Sequence, residues 1–304
     1  ILLKNIRDYF ARRDLFRLQR GFLRDSYWLV ASLEADLALA RHLRGAAGFC
    51  RVGAGAAADP EQENRSIVFE QVVHPLLAGA APLSLALRGK GAFISGQNGI
   101  GKSTLLRTVG LNLIAARAFG FCYARSASVP LLPVYSSMQG EDSLAGGESL
   151  YLAELRRARE LLALAEAGPA LFIIDEIFRG TNHLESISAA AAVLHTLAAS
   201  GLVVVSSHNL VLAALLEDSL TPLCVGAADE EEAPGRLALR PGVLARTNGI
   251  ALLGERGFGA ALEAKAGKVF DWLSAYLAHP AECGHVLGAP AAAPAPAEPP
   301  IYPA

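Results

Sequence analysis

An α/β fold, with a mostly parallel sheet flanked by helices, is predicted by three stretches of this sequence taken together. The first is a glycine-rich turn, Gly96-Gln97-Asn98-Gly99-Ile100-Gly101-Lys102-Ser103-Thr104, set between the apolar run Ala92-Phe93-Ile94 and a helical pattern over residues 105–118. The second is Leu171-Phe172-Ile173-Ile174-Asp175-Glu176, four apolar residues that end in two carboxylates. The third is Leu202-Val203-Val204-Val205-Ser206-Ser207-His208, an apolar run that ends in a polar turn. Short continuous apolar runs suit strands buried on both faces, and a parallel sheet with helices on each side provides such burial.

Composition sets the outer limits. A chain of 304 residues can bury a large core and hold one or two domains. Net charge −2 and 52% hydrophobic content describe a globular rather than a disordered chain, so any basic surface has to be local. Cys50, Cys122, Cys224 and Cys283 are scattered without a C-x-x-C pair, which reads as free thiols in a reducing cytoplasm rather than a disulfide framework or a zinc site. The chain starts at Ile1 and is read as a piece of a longer protein; no signal peptide is visible in it. Residues 186–216 lack Asp, Glu, Lys and Arg, a length that can span a bilayer. His195, Ser200, Gly201, Ser206, Ser207, His208 and Asn209 interrupt that stretch, so it reads as a buried helix, a buried strand and a polar turn.

In chain order, residues 1–25 form a basic helical pattern, with Leu3, Ile6, Tyr9, Phe10, Leu15 and Phe16 at roughly helical spacing. A helix beside DNA or an anionic lipid surface fits these residues, and a solvated face of a larger helical domain fits them better. Residues 27–44 read as a second helix with Leu29, Leu33, Leu37 and Ala40 on one face, and residues 45–63 as a loop. Residues 66–69 read as a strand, followed by a turn at His74-Pro75. The alternating Leu83-Ser84-Leu85-Ala86-Leu87 reads as an edge strand of the main sheet. Pro130 and Pro133 make residues 123–135 short edge strands. Residues 150–167 read as a long helix and residues 237–239 as a strand. The run Asp229-Glu230-Glu231-Glu232 reads as a solvated loop. Residues 258–277 read as a helix that buries Phe270, Trp272, Leu273 and Tyr276, and the Ala- and Pro-rich end as a disordered tail.

The glycine-rich turn fits G-x-x-x-x-G-K-[ST], the P-loop pattern, and its strand–loop–helix setting is what that pattern needs. Loop amides and a helix N-terminus together attract a phosphate, and Gly96 and Gly101 leave room for it. Lys102 reaches the β- and γ-phosphates in this reading, and Ser103 ligates Mg²⁺. Asp175 holds the same ion, and Glu176 orients and deprotonates the attacking water. His208, at a strand end where α/β sheets meet their ligands, either senses the γ-phosphate or holds that water. A lone histidine is more often structural, and His42, His183, His195, His279 and His285 receive no role.

These motifs, in this order, resemble the MutS family of DNA mismatch-repair ATPases, and specifically its C-terminal ATPase domain. Asn98 within the turn, followed by Leu105-Leu106-Arg107, is similar to the family's G-x-N-x-x-G-K-S-T-x-x-R. Asp175-Glu176-Ile177-Phe178-Arg179-Gly180-Thr181 is similar to its D-E-x-x-R-G-T, and Ser207-His208 to its switch histidine. Asp142-Ser143-Leu144-Ala145-Gly146-Gly147-Glu148-Ser149, with Glu154 beyond it, resembles its signature loop. Residues 33–40 and His74-Pro75-Leu76-Leu77 resemble the end of its lever domain and the entry to its ATPase domain.

The resemblance implies a P-loop NTPase of the ABC-ATPase-like type, preceded by a short helical segment of a lever-type domain. The implied domains are residues 1–60 (helical segment), 61–280 (ATPase) and 281–304 (tail). It implies a cytoplasmic, Mg²⁺-dependent ATPase that hydrolyses ATP to ADP and phosphate. It also implies a homodimer, or a pairing with a related subunit, through the ATPase face. In that dimer Gly147 and Ser149 reach the partner's γ-phosphate, DNA is met through the region upstream, and no membrane is indicated. Residues 76–92 lack the aromatic that the family commonly stacks on adenine, and neither its mismatch-reading domain nor its C-terminal dimerisation element is evident. An ABC-type ATPase subunit is the nearest alternative, because Leu144-Ala145-Gly146-Gly147-Glu148 is one step from L-S-G-G-Q. The residues Ile177-Phe178-Arg179-Gly180-Thr181 after Glu176 favour the MutS-like reading. A slow nucleotide-switched clamp or scaffold is the non-enzymatic alternative.

Overall fold

The computed structural model describes residues 2–46, 48–52, 64–138, 150–227, 237–244 and 248–277. The sequence readings for residues 53–63, 139–149, 229–232 and 281–304, which include Gly147 and Ser149, lie outside the described residues. The chain divides into two compact units, Ile1–Phe49 and Cys50–Ala304. Among the described residues no helix is long and apolar enough to cross a membrane.

The first unit consists of α1 (Leu2–Leu18) and α2 (Arg20–Gly45). The break falls at Gln19, not near Asp25 as the sequence suggests. Hydrogen bonds Gln19 N to Leu15 O and Leu23 N to Gln19 O, both 2.9 Å, carry the helical ladder through this joint. Position 25 therefore continues a helix. Leu29, Leu33 and Leu37 share a face as expected, yet each remains more than half exposed.

In the second unit, β1 (Cys50–Arg51), β2 (Ser66–Val72), β3 (Leu83–Arg88) and β4 (Gly91–Gly96) are followed by α3 (Lys102–Phe119). Then come β5 (Phe121–Cys122), β6 (Ser126–Ser128), β7 (Val134–Ser137), α4 (Leu150–Glu166), β8 (Leu171–Asp175) and α5 (His183–Ser200). The elements β9 (Leu202–Ser206), α6 (Val211–Leu215), β10 (Leu220–Ala227), β11 (Leu237–Pro241), α7 (Ala251–Glu255) and α8 (Ala260–Leu277) complete it. The main sheet has the order β11-β10-β4-β9-β8-β7. Its five strands from β10 to β7 are parallel, and β11 runs antiparallel at one edge. This is the mixed α/β architecture expected, with helices on both faces.

Side-chain alternation along buried strands builds the two halves of the core. Ala92, Ile94, Leu171, Ile173, Leu202 and Val204 pack on the α3 side, with Leu106, Val109 and Leu113 of α3 and with residues of β2 and β3. Phe93, Phe172, Ile174, Val203 and Val205 face the other way, against Leu161 of α4 and Ala190, Leu194 and Leu197 of α5. Both parities are apolar, which is why these runs show no alternation in the sequence.

Two expectations need correction, and one strand was not foreseen. β3 is not an edge of the main sheet: it pairs antiparallel with β2 in a separate three-stranded sheet of order β3-β2-β6. Its alternation reflects one face, with Leu85 and Leu87, laid on the α3 side of the core. β10 has no counterpart in the sequence reading, which assigned no strand to Leu220–Ala227, and its Pro222 is a residue that inner strands rarely hold. The structure accommodates Pro222 one residue before the β11 pairing begins at Leu223. Phe270 of α8 is 48% exposed rather than buried, and the side chains of Trp272, Leu273 and Tyr276 lie outside the described residues.

Asn112 of α3 joins three segments. It is fully buried, and its amide nitrogen donates to Val73 O (3.1 Å) and Thr108 O (2.9 Å) while Oδ1 accepts from Tyr123 N (2.7 Å). Asn112→Ala strands the Val73 carbonyl and the Tyr123 amide, and is expected to cost about 2–4 kcal/mol in a denaturant-unfolding experiment. Cys122 stands opposite Cys50 across the β1–β5 pair, and its thiol donates to Asn112 O at 3.4 Å. Burial first, and the neighbouring Cys50 second, push the Cys122 thiol up to about 12. It therefore stays protonated at neutral pH, and peptide mapping after alkylation at pH 8 should find Cys122 unlabelled in the folded chain and labelled once it is unfolded.

Candidate functional site

Strand register brings the polar ends of the sheet to one level. Ser206, the last residue of β9, is the register partner of Ile94 on β4 and of Asp175 on β8. The glycine-rich turn therefore leaves β4 beside the point where Asp175 and Glu176 leave β8, with β9 alone between them. This edge, where parallel strands end and their polar turns begin, is the usual ligand edge of an open α/β sheet.

The turn is shaped by Gly99 (φ 76°) and Gly101 (φ 104°), both left-handed, where a side chain would strain the backbone. Gly96 is wanted for a different reason than the sequence suggests: a Cβ there would lie 2.9 Å from Val225 O of the neighbouring strand. Gly101 is the N-cap of α3 and offers no side-chain cap, so the first amides of this 18-residue helix are presented to the turn. Gln97, Asn98 and Gly99 are exposed, Ile100, Ser103 and Thr104 half-buried. The Asn98 amide donates to Asn248 Oδ1 at 3.0 Å. Lys102 is buried, with Nζ donating to Gly96 O (3.0 Å) and Gln97 O (3.1 Å). Burial pushes its ammonium below the usual lysine range, while the negative charges of Glu176 and Asp175 pull it back up.

Asp175 is 5% exposed and accepts from Ser206 Oγ at 2.5 Å. Glu176 is fixed through both oxygens: Oε1 lies 2.8 Å from His208 Nε2 and Oε2 lies 3.2 Å from Arg179 Nε. The His208 hydrogen bond first, then the charges of His208, Arg179 and Lys102, hold its carboxyl below the usual carboxylate range against the opposing effect of burial. Glu176 is thus an ionised acceptor at neutral pH, suited to orienting a water molecule. Lys102, Asp175, Glu176 and His208 lie together at this sheet edge. Ser103 lies in the first turn of α3, and Gly147 and Ser149 fall outside the described residues.

A cavity of about 260 Å³ opens beside Glu176, lined also by Arg179, Thr181, His183, His208 and Asn209. The sequence reading gave none of Arg179, Thr181, His183 or Asn209 a role. Arg179 and Thr181 were within reach as the arginine and threonine of the D-E-x-x-R-G-T stretch; His183 and Asn209 carried no signal, because their neighbours come from separate turns.

The loop after β8 is strained and tightly held. Glu176 (φ 57°) and Phe178 (φ 54°) are left-handed without being glycine, at a cost on the order of 1–3 kcal/mol each. Opposing this, Glu176 N donates to Ser206 O at 3.0 Å and the buried Ser186 hydroxyl donates to Phe178 O. Asn182 caps α5 by accepting from Glu185 N at 3.0 Å. Gly180 packs against α4 so closely that a Cβ would sit 2.6 Å from Tyr151 N. Gly180→Ala is expected to lower stability by about 1–3 kcal/mol and to displace this loop. Thermal unfolding alongside amide exchange at residues 176–180 measures both effects.

The family pattern described as MutS domain V matches residues 92–252, from β4 into α7. Among curated proteins the chain is similar to a DNA mismatch repair protein MutS of Thermus thermophilus, 28% identical over 230 residues, covering 73% of this chain and 27% of that protein. It is similar to the MutS of Myxococcus xanthus at 33% over 166 residues, covering 52% of this chain and 18% of that protein. The Thermotoga neapolitana MutS matches at 34% over 127 residues, 41% of this chain and 16% of that protein. The chain spans about a quarter, or less, of the length of these relatives. A family pattern that spans more than half of the chain, with every residue of the convergent sheet edge inside it, makes this chain a member of the MutS family.

Proposed function

We propose that this chain is the ATP-binding and ATP-hydrolysing domain of a MutS-like protein that acts on mismatched or otherwise structured DNA. The observation that carries the reading is the convergence of Lys102, Asp175, Glu176 and His208 at one sheet edge, beside a glycine-rich turn that opens an uncapped helix. The fold type proposed is the P-loop NTPase of the ABC-ATPase-like type, with the domain division expected from the sequence.

The residues fit the substrate and its metal. The turn 96–104 and the first amides of α3 suit a polyphosphate, and the Lys102 ammonium, which donates to two backbone carbonyls, can donate instead to phosphate oxygens. Ser103 and Asp175 supply hard oxygen donors of the kind Mg²⁺ prefers. When bound, that ion neutralises the charge building on the phosphates. Glu176 receives a proton from the attacking water, and His208 and Arg179 keep its carboxylate ionised and aimed. Gly147 and Ser149, immediately before α4, would complete a partner's site in a dimer closed by ATP. The names of the relatives support DNA mismatch repair as the setting; DNA contact belongs to the longer protein, and the cytoplasm is the proposed location.

Glu176→Gln should keep ATP binding and lose about 100-fold or more in turnover, because an amide cannot take the proton. Lys102→Ala should weaken ATP binding about tenfold or more, read by nucleotide titration. Turnover measured with and without duplex, mismatched and branched DNA, at stated salt, tests the coupling to DNA. Turnover of Glu176→Gln at the unsubstituted rate would refute the mechanism. Tight nucleotide binding without turnover would favour a nucleotide-switched clamp.

A further inference from the structure

Arg179 lies between two carboxylates, and only one of them, Glu176, belongs to the site described above. The other is Glu154, on the second turn of α4. Its Oε2 accepts from the backbone amides of Arg179 (2.9 Å) and Gly180 (3.2 Å), and its Oε1 stands 3.9 Å from Arg179 Nε. The same Nε is 3.2 Å from Glu176 Oε2. The Glu154 side chain is 16% exposed and that of Arg179 43%, so the carboxylate is largely covered while the guanidinium reaches solvent. Two further contacts tie the same helix turns to the same loop: the Phe178 ring meets the Tyr151 ring edge-on, centroids 6.0 Å apart, and Gly180 sits on the Tyr151 backbone.

We propose that Glu154 is a positioning residue for the hydrolysis reaction, holding the strained loop and Arg179 in place so that Arg179 keeps Glu176 aimed. The inference rests on the ATPase reading and deepens it. It makes the start of α4 and the reacting carboxylate one mechanical unit: a shift of α4 moves the two amides held by Glu154 and with them the guanidinium that steadies Glu176. The two oxygens of Glu154 divide the work. Oε2 clamps the backbone, and Oε1 contributes charge at a longer distance. Glutamine keeps an acceptor where Oε2 stands and removes the charge, whereas alanine removes both.

Steady-state kinetics on this chain test the proposal. Glu154→Ala should lower kcat about 10- to 100-fold with the KM for ATP changed less than about threefold, the signature of a misplaced reacting group rather than lost substrate binding. Glu154→Gln should restore kcat to within about threefold, because the clamp survives. The double variant Glu154→Ala with Arg179→Ala should be no slower than the slower single variant, since both act through one path. If Glu154→Ala does not fold, Glu154→Asp replaces it, being too short to reach both amides. Unchanged kcat in Glu154→Ala, no recovery in Glu154→Gln, or additive losses in the double variant would each overturn the proposal. If the unsubstituted chain binds ATP without turnover, the ATPase reading fails by itself. The coupling is then decided by amide exchange at Arg179, Gly180 and Glu176: Glu154→Ala must speed all three and Glu154→Gln none, and any other pattern overturns it.

Discussion

A parallel sheet buried on both faces can keep charged side chains only where its strands end. β8 and β9 are buried along all five of their residues, and β4 is buried from Gly91 to Gly96. A carboxylate or ammonium within those runs would be desolvated on two sides, at a cost of several kcal/mol. The polar residues of these segments therefore gather at the last strand position and just past it: Asp175 and Ser206 close β8 and β9, Glu176, Ser207 and His208 follow them, and Lys102 lies beyond the turn after β4. Because Ser206 is level with both Ile94 and Asp175, these ends coincide in space. The concentration of chemistry at one edge follows from burial along the strands together with register between them.

Proximity leaves the orientation of these groups open, and the loop from Glu176 to Asn182 sets it. Two non-glycine residues in the left-handed region would relax in an isolated peptide. They persist because the loop is held from several directions, by Ser206 through a backbone bond, by Ser186 of α5, and by Tyr151 and Glu154 of α4. The left-handed turn at Glu176 redirects the chain as it leaves β8, and the carboxylate then meets His208 from the end of β9 and Arg179 from its own loop. The strain is local, and the packing that offsets it is spread over three elements.

Elsewhere the chain leaves apolar surface uncovered. Tyr27, Trp28, Leu29, Leu33 and Leu37 of α2 are all more than half exposed, and Phe270 and Val269 of α8 nearly so or more. Helical periodicity placed these residues on helices correctly and misjudged the burial of Phe270. Periodicity reports which residues share a face; whether another element covers that face depends on a partner that the helix itself does not encode.

Taken alone, the sequence determined the fold class, the three buried strands with α3 and α5 beside them, and the polar residues that end those strands. Each of these is local: a continuous apolar run has to be buried, and a polar residue ending it has to sit at its edge. The separate sheet holding β3, the inner strand β10 with its Pro222, and the opposition of Cys50 and Cys122 were decided only by tertiary structure. So were the contacts of Arg179, whose partners Glu176 and Glu154 are 3 and 25 residues away in the chain. A strand's register, a proline's tolerance and a carboxylate's partner depend on which segment lies alongside, and pairing between distant segments leaves no pattern within either one.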